Sequence, residues 1–405
     1  MMKNFVFAVG IEDTFVTQTE RGERPLDEYA LTQHYEKWRE DLELARNCGS
    51  SMIRYGIPWH VVEETKGEYN WLWVDQVMDY FRKHRELVPI IDLMHYGTPG
   101  WLKQAFLNPE YPEAVARFAG AFFQRYKDVT PYFTPLNEPY VNAEYCGLLG
   151  KWPPYQKGLK GFNQLMMQLG KGIIHTVEEV KSINPESISV HVDATKKYYP
   201  PSTDNASLEL ERKRWSELSM YSWEMIQGKL SENKVLLPWI QEHGVTDEQL
   251  NWFSEHKIDL DIAGINFYPQ FSVHQSEAAS SGAHFPHVMG TANDLMDIID
   301  RFLHRYNKPV FITETSYRGT EQERMDWLHE SLDVLKKGRE QGKPITGYTW
   351  FPFYDLVDWE YRTSGRTIEE EILPFGLYTL QSEGGQLLRI KNRVCTAFEE
   401  AVKSF

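Results

Sequence analysis

The sequence has few cysteines, and they follow no recognisable pattern. Its 405 residues include three, Cys48, Cys146 and Cys395, which lie far apart along the chain. No Cys-x-x-Cys or Cys/His spacing typical of zinc is present, and an odd number of distant cysteines implies no disulfide framework. We therefore expect three reduced thiols and no structural metal held by cysteine.

Basic charge and long apolar runs are also scarce. The 43 Lys and Arg against 58 Asp and Glu give a net charge of −15, which argues against nucleic acid or an anionic membrane as a partner. No run approaches the ~20 apolar residues of a membrane span. The apolar residues 5–11 lead directly into Glu12 and Asp13, without the basic start of a signal peptide. These absences predict a cytoplasmic protein that acts on a small molecule, and they leave the oligomeric state open.

Two common enzyme motifs are missing. Residues 10–14 read Gly-Ile-Glu-Asp-Thr, so the first predicted strand is not followed by a Gly-rich phosphate turn. This argues against an open doubly wound sheet, which is the alternative fold. No Gly-x-Ser-x-Gly elbow is present either, which removes the usual argument for an α/β-hydrolase.

Eight apolar runs of strand length alternate with helical patterns along the chain. Such alternation predicts an α/β fold, a closed (β/α)8 TIM barrel that forms a single catalytic domain over residues 1–405. We interpret 270–292 as a loop and 385–403 as the closing helix. The predicted strands lie at 5–11, 52–57, 87–93, a run ending at 138, 187–192, 259–268, 309–314 and 344–350.

Two of these runs end in a glutamate. Glu138 lies in Phe-Thr-Pro-Leu-Asn-Glu-Pro, where we place it at the last position of a strand, and Glu314 ends the run that begins at 309. Active sites of such barrels collect at the carboxyl ends of the strands. Two facing carboxylates there indicate glycoside hydrolysis, with a spacing of about 5–5.5 Å in the retaining form. Other polar or aromatic residues at the strand ends are Arg54, Trp59, His95, Asn137, Asn266, Tyr268 and Trp350.

The neighbours of the two glutamates suggest distinct roles for them. Arg54 beside Glu314 would favour its charged form, and that charge would hold a proton on Glu138. Asn137 is suited to donate a hydrogen bond to a sugar 2-hydroxyl. Trp350 and Trp359 are candidates for a stacking floor, with core packing as the alternative. The 14% aromatic content suits sugar stacking but is also common in large soluble proteins.

Six short motifs occur in order along the chain. They are Arg54-Tyr-Gly-Ile-Pro-Trp59, Met94-His95-Tyr96 with Trp101-Leu102, Thr134-Pro-Leu-Asn-Glu-Pro139, Gly264-Ile-Asn-Phe-Tyr268, Ile312-Thr-Glu-Thr315, and segment 350–359 followed by Phe375-Gly-Leu-Tyr378. From about residue 7 to 380 the chain thereby resembles family 1 of the glycoside hydrolases, the β-glucosidase family. Residues 10–12 and 34–41 are also similar to a shorter bacterial branch of that family.

The resemblance implies a retaining exo-β-glycosidase that needs no cofactor and no metal. Glu138 would be its acid/base and Glu314 its nucleophile. The resemblance also implies a sugar pocket lined by His95, Asn137, Tyr268 and Trp350.

Three positions depart from the family pattern, and they leave the preferred sugar open. Glu12, or alternatively Gln18, would replace a sugar-binding glutamine. Asp358 stands where the family has a longer glutamate, and Tyr96 replaces a tryptophan.

Two other functions stay open at this stage: a catalytically idle sugar-binding or sensing barrel, and a transglycosylase on the same scaffold. The aglycone is also open. We expect no preference for 6-phospho-sugars, because no phosphate-binding motif follows the eighth strand. His284 and His287 have a spacing that metals use, but they lack further ligands.

Overall fold

A computed structural model describes residues 5–279 and 282–405. At its centre, eight parallel strands close into a barrel in chain order, and the first pairs with the last through Val9 opposite Trp350. This confirms the predicted (β/α)8 barrel. The strands are β1 Val6–Gly10, β2 Met52–Gly56, β3 Val88–Asp92, β4 Tyr132–Thr134, β5 Ile188–Ala194, β6 Ile262–Asn266, β7 Val310–Thr315 and β8 Ile345–Trp350.

The barrel strands are apolar on both faces because helices cover the outside and side chains fill the inside. In β1, Ala8 belongs to a small buried cluster with Met52, Ile90 and Phe311 from three other strands. Its neighbour Val9 belongs instead to the larger core. Successive side chains point to opposite faces of each strand, so the small cluster and the larger core form two separate packed layers.

Helices follow every barrel strand, and several begin with a capping box. Thr320 and Glu323, for example, satisfy backbone N–H groups at the start of the longest helix after β7. No helix in the described part of the chain is long and apolar enough to cross a membrane. The main helices are His34–Asn47, Leu72–Lys83, Tyr111–Tyr126, Gly158–Ile183, Ala206–Leu218, Tyr221–Ile226, Leu236–Glu242, Asp247–Glu255, Ala292–Tyr306, Glu321–Glu340 and Arg393–Ser404.

The end of the chain differs from the prediction. Strands Tyr378–Glu383 and Gln386–Lys391 form an antiparallel hairpin where a helix from 385 was expected. Gly384 and Gly385 make its turn with positive φ angles, which glycine adopts without strain. The closing helix begins only at Arg393, after the Asn392 side chain has capped it.

The segment interpreted as a loop at 270–292 also contains strands. Val273–Gln275 pairs in parallel with Lys197–Tyr199, and Glu277–Ala279 forms a hairpin with Gly282–His284. Residues 280–281 of that interpretation lie outside the described residues. These short strands escaped prediction because their Ser, Ala, Gly and His content lacks a strand-like apolar period.

Candidate active site

A cavity of about 630 Å³ opens at the carboxyl ends of the barrel strands, and both predicted glutamates line it. Glu314 lies inside β7, one residue before its end. Glu138 lies beyond its strand rather than at its last position, because β4 ends at Thr134. It directly precedes the short helix Pro139–Ala143.

Glu314 is held by two donors. Arg54 Nη1 donates a hydrogen bond to Glu314 Oε1, and the Tyr268 hydroxyl donates one to Glu314 Oε2 at 2.7 Å. Arg54 is buried and Tyr268 is half-buried, so the guanidinium pairs with the carboxylate in a site that is shielded from water. Glu314 is therefore paired with a permanent cation.

Arg54 lies beneath the cavity floor and organises it. Its Nη2 donates to Asp92 Oδ2 at 2.6 Å and to Asn137 Oδ1 at 2.8 Å. The side chain is 2% exposed, so these groups form one buried network. Arg54 and Asn137 support the wall from behind and are not part of its lining.

Glu138 has a different environment. Its backbone has φ +45°, a left-handed conformation that costs a non-glycine residue on the order of 1 kcal/mol or more and clusters at functional sites. Its Oε1 accepts from Asn266 Nδ2 at 2.8 Å, and its Oε2 contacts the Tyr96 hydroxyl. Burial, together with the charge of Glu314, raises the pKa of Glu138 to about 8. At neutral pH this carboxyl therefore holds a proton.

Asn266 connects the two glutamates. Its Oδ1 accepts from Thr313 Oγ1 at 2.7 Å, and Thr313 directly precedes Glu314. Asn266 is also the register partner of Glu314 across β6 and β7. One buried amide thus fixes Glu138 against the strand that carries Glu314.

His95 completes the floor. Its Nε2 lies 2.9 Å from Asn137 Nδ2, and its Nδ1 lies 2.8 Å from Asp13 Oδ1 and 3.4 Å from Asp92 Oδ2. Ligand atoms of these two aspartates and His95 lie within 4.8 Å of one another, a spacing that a metal ion could use. Arg54 already binds Asp92, so we assign this group to the hydrogen-bond network.

Of the two first-strand candidates, the structure places Glu12 in the cavity wall and Gln18 elsewhere. Glu12 Oε1 accepts from Thr14 N at 3.2 Å and from Thr14 Oγ1 at 2.5 Å. Burial raises the pKa of Glu12 to about 7. Gln18 instead bonds to Thr98 and lines a separate cavity of about 400 Å³.

The structure differs from the expectation for Trp350. This side chain is fully buried, and its indole N–H donates to the Phe375 carbonyl at 3.0 Å. The next residue, Phe351, directly follows the end of β8 and lines the cavity instead. Gly10 leaves the room for it, because a Cβ at Gly10 would come within 2.4 Å of the Phe351 ring.

Aromatic and polar residues form the rest of the wall. Trp359 packs against Trp152, Tyr145 and Tyr96, with ring centroids 5.1–5.4 Å away, and Asp358 lies beside it in the lining. Sequence reasoning singled out Glu12, Asn266, Tyr268, Asp358 and Trp359 but missed much of the mouth. The missed lining residues include Tyr145, Lys196, Tyr198, Trp215, Phe271, Phe285, Arg318 and Phe351. Four of these eight lie in 198–258 and 270–300, where the chain matches the family motifs poorly.

His284 and His287 do not form a metal site with other ligands in the described part of the chain. His287 lies in the cavity mouth with its ring centroid 4.5 Å from that of His274. Burial lowers the pKa of both of these rings, to about 3 for His274. His274 and His287 therefore contribute neutral rings to the mouth of the cavity.

Comparisons with known proteins agree with this geometry. Beta-glucosidase A of Thermotoga maritima is 21% identical over 359 residues, which cover 80% of this chain and 78% of that protein. A 6-phospho-beta-galactosidase of Clostridium acetobutylicum is 21% identical over 395 residues, covering 80% of each. The structure of the beta-glucosidase from Thermotoga maritima in complex with glucoimidazole has a TM-score of 0.83 at 18% identity, covering 100% of this chain and 98% of that one. At this identity the structural likeness shows the fold alone.

The family assignment rests on the sequence itself. Residues 8–368 match the model of Glycosyl hydrolase family 1, which is most of the 405 residues. Two buried glutamates of unequal environment at the open end of the barrel agree with such an enzyme. The chain therefore belongs to glycosyl hydrolase family 1 and is a glycoside hydrolase.

Proposed function

We propose that this enzyme is a retaining exo-β-glycosidase, with Glu314 as nucleophile and Glu138 as acid/base. The observation that carries the proposal is the contrast between the two carboxyls. Glu314 is paired with the Arg54 guanidinium and accepts from Tyr268, whereas burial and the charge of Glu314 raise the pKa of Glu138 and keep a proton on it. Pairs of carboxyls whose environments drive their pKa values apart are typical of glycosidases.

The reaction has two steps. Glu314 attacks the anomeric carbon, while Glu138 gives its proton to the leaving glycosidic oxygen, so that the aglycone departs neutral. Water then attacks the anomeric carbon of the glycosyl-enzyme, and Glu138 takes the proton of that water as the bond to Glu314 breaks. Each carboxyl ends in its starting protonation state, and the product keeps the β-configuration.

The shape of the cavity supports exo action. Its inner end is closed by buried side chains such as Glu12 and His95, each 3% exposed, so a saccharide enters only from the mouth. Trp359 lines the cavity, in line with the aromatic walls of sugar sites. The substrate is therefore a glycoside whose terminal sugar is inserted first.

The charges on the wall favour a sugar without a phosphate. Glu12 and Asp358 add carboxyl groups to the catalytic pair, and in their charged forms they would repel a phosphorylated sugar. Lys196, the buried cation of the lining, is 3.4 Å from Glu144 and is thus partly neutralised. Arg318, another cation of the lining, is exposed to solvent. Turnover of an aryl β-glycoside panel should favour a plain gluco-, galacto-, fuco- or xyloside over any 6-phospho-sugar. A preference for a 6-phospho-sugar would overturn this part of the proposal.

Azide rescue tests the assignment of roles. Glu314→Ala should lose at least ~10³-fold in kcat, and azide should restore turnover with an α-glycosyl azide as product. Glu138→Ala should be severely slowed on poor leaving groups and much less on activated aryl glycosides, with azide giving a β-product. Glu330→Ala, on an exposed helix face, is the matched control. Wild-type activity in Glu314→Ala would remove the mechanism.

A further inference from the structure

Tyr96 is a buried aromatic residue beside Glu138 that the mechanism above does not use. It follows β3 with φ +68°, a left-handed conformation, and is 2% exposed. Its ring centroid lies 4.5 Å from that of His95 and 5.4 Å from those of Trp152 and Trp359. Three rings therefore fix the direction in which its hydroxyl points.

The hydrogen-bond pattern shows which way that hydroxyl donates. Arg54 has only donors, so its bond to Asn137 Oδ1 turns the Asn137 Nδ2 group towards Tyr96, 3.0 Å from the phenol oxygen. That oxygen accepts from Asn137, and its own hydrogen is left for Glu138 Oε2. Burial and the charge of Glu138 raise the pKa of Tyr96 well above its ordinary value, so the phenol keeps this hydrogen.

The second donor to Glu138 is Asn266, whose N–H cannot change from donating to accepting. Asn266 presents an N–H to Oε1, and its amide cannot turn because Thr313 already donates to its carbonyl oxygen. A phenol hydroxyl, by contrast, rotates and can both donate and accept. The Asn266 N–H can donate to Oε1 in both forms of the carboxyl, provided that the proton is on Oε2. Oε2 is the oxygen that Tyr96 contacts, so Tyr96 is the group that has to donate to the ionised form and accept from the protonated one.

We propose that Tyr96 is a positioning residue for Glu138, donating to its carboxylate and accepting from its protonated form during each catalytic cycle. This inference rests on the proposed role of Glu138 as acid/base. Tyr96 itself transfers no proton to the substrate. The proton that moves is always the one bound to Glu138.

Tyr96→Phe removes the donor and keeps the ring. The charged form of Glu138 then loses a stabilising hydrogen bond, while burial and the charge of Glu314 remain. The alkaline limb of kcat/KM, which reports ionisation of the acid in the free enzyme, should therefore move to higher pH by about one unit. An unmoved limb, or one moved to lower pH, would overturn the inference.

Two further variants keep the test decisive. Tyr221→Phe removes a buried hydroxyl that has no hydrogen-bond partner in the described part of the chain, and it should leave the limb in place. If Tyr96→Phe does not fold, 3-fluorotyrosine at position 96 has nearly the same volume and is a stronger donor. It should move the limb to lower pH, and an unchanged limb would again contradict the inference.

Failure of the underlying function would look different. In Glu138→Ala the alkaline limb should disappear altogether, because the ionising acid is gone. If that limb persists, the role of Glu138 is wrong. If it disappears while Tyr96→Phe leaves the wild-type limb unmoved, only the role of Tyr96 is wrong.

Discussion

At the scale of single residues, Arg54 is the cation at the centre of the buried network of the site. It binds Glu314, Asp92 and Asn137 from a position that is 2% exposed. Removing one member of a buried ion pair leaves the partner's charge unpaired in a medium of low dielectric constant. The site and the fold therefore depend on the same residue.

Arg54→Met should reduce the free energy of unfolding by about 3–5 kcal/mol, because Glu314 and Asp92 lose their cation. Urea denaturation measures this change. Arg46→Met, which breaks surface pairs with Glu43 and Glu86, should cost less than about 1 kcal/mol. Equal costs for the two variants would contradict the central role of Arg54.

Glu12 gives a second prediction at this scale. Its raised pKa of about 7 means that it becomes a charged acceptor of sugar hydroxyls as the pH rises through neutrality. The competitive inhibition constant of the free product sugar should therefore fall between pH 6 and pH 8. In Glu12→Gln the fall around pH 7 should be lost, which leaves only the effect of Glu138 near pH 8, and the constant should be about tenfold weaker at pH 8. An unchanged fall around pH 7 in that variant would show that Glu12 is not the titrating group.

Two details at the scale of single residues could not be predicted from the sequence. The sequence placed Trp350 at a strand end correctly, but a one-residue step decides which of Trp350 and Phe351 faces the cavity. The contact between Tyr96 and Glu138 joins residues 42 positions apart and leaves no local pattern. Predicting it requires knowing the geometry of two loops.

At the scale of elements, the segment after β8 carries much of the cavity wall. Asp355 anchors it, with Oδ1 accepting from the backbone of Phe375 and Gly376 at 3.0 and 2.9 Å. Its Oδ2 accepts from Leu380 N at 3.2 Å. One carboxylate thus ties the start of the segment to the hairpin that follows it.

Asp355→Asn tests this anchor with almost no change of shape. One acceptor becomes an N–H₂ group that must face a backbone N–H, so we expect a loss of about 1–3 kcal/mol in unfolding free energy. KM should rise because Phe351 and Trp359 are displaced. Asp326→Asn, at an exposed helix position, should change stability by less than about 0.5 kcal/mol. Thermal unfolding and steady-state kinetics measure both effects, and an unchanged KM would argue against the anchor.

The elements also explain why the barrel was predictable. All eight strands were found because barrel strands, buried on both faces, are nearly continuous apolar runs. The hairpin at 378–391 was missed because Leu387, Leu388, Ile390 and Val394 mimic a helical period that continues into the real helix. Its Gly384-Gly385 turn was the signal that could have separated the two.

At the scale of the whole molecule, buried acids couple stability to pH. Burial raises the pKa values of Glu12, Asp13, Glu138 and Asp193 to about 7, 6, 8 and 7, respectively. Their neutral forms favour the folded state, and that contribution is lost as the pH rises through these values. Burial lowers the pKa of His191 to about 3, so the folded state favours its neutral form. This group therefore reduces the stability of the folded state only when the pH falls below the ordinary histidine pKa of about 6.5.

The free energy of unfolding should therefore fall between pH 6.5 and pH 8.5, on the order of 2–3 kcal/mol. Glu138→Gln should flatten this decline, because it removes the group that titrates last. Glu330→Gln, on an exposed helix face, should not. Denaturant titrations at pH 5.5, 7.0 and 8.5 decide the matter, and a stability that rises over this range would contradict the assigned directions.

Covalent trapping tests the central claim most directly. Incubation with a 2-deoxy-2-fluoro-β-glycoside carrying an activated leaving group should leave one fluoroglycosyl unit on the enzyme, and peptide mass spectrometry should place it on Glu314. The Glu314→Ala variant should gain no such mass. An adduct on another residue, or turnover of ordinary substrates with an inverted product and no adduct, would show that Glu314 is not the nucleophile.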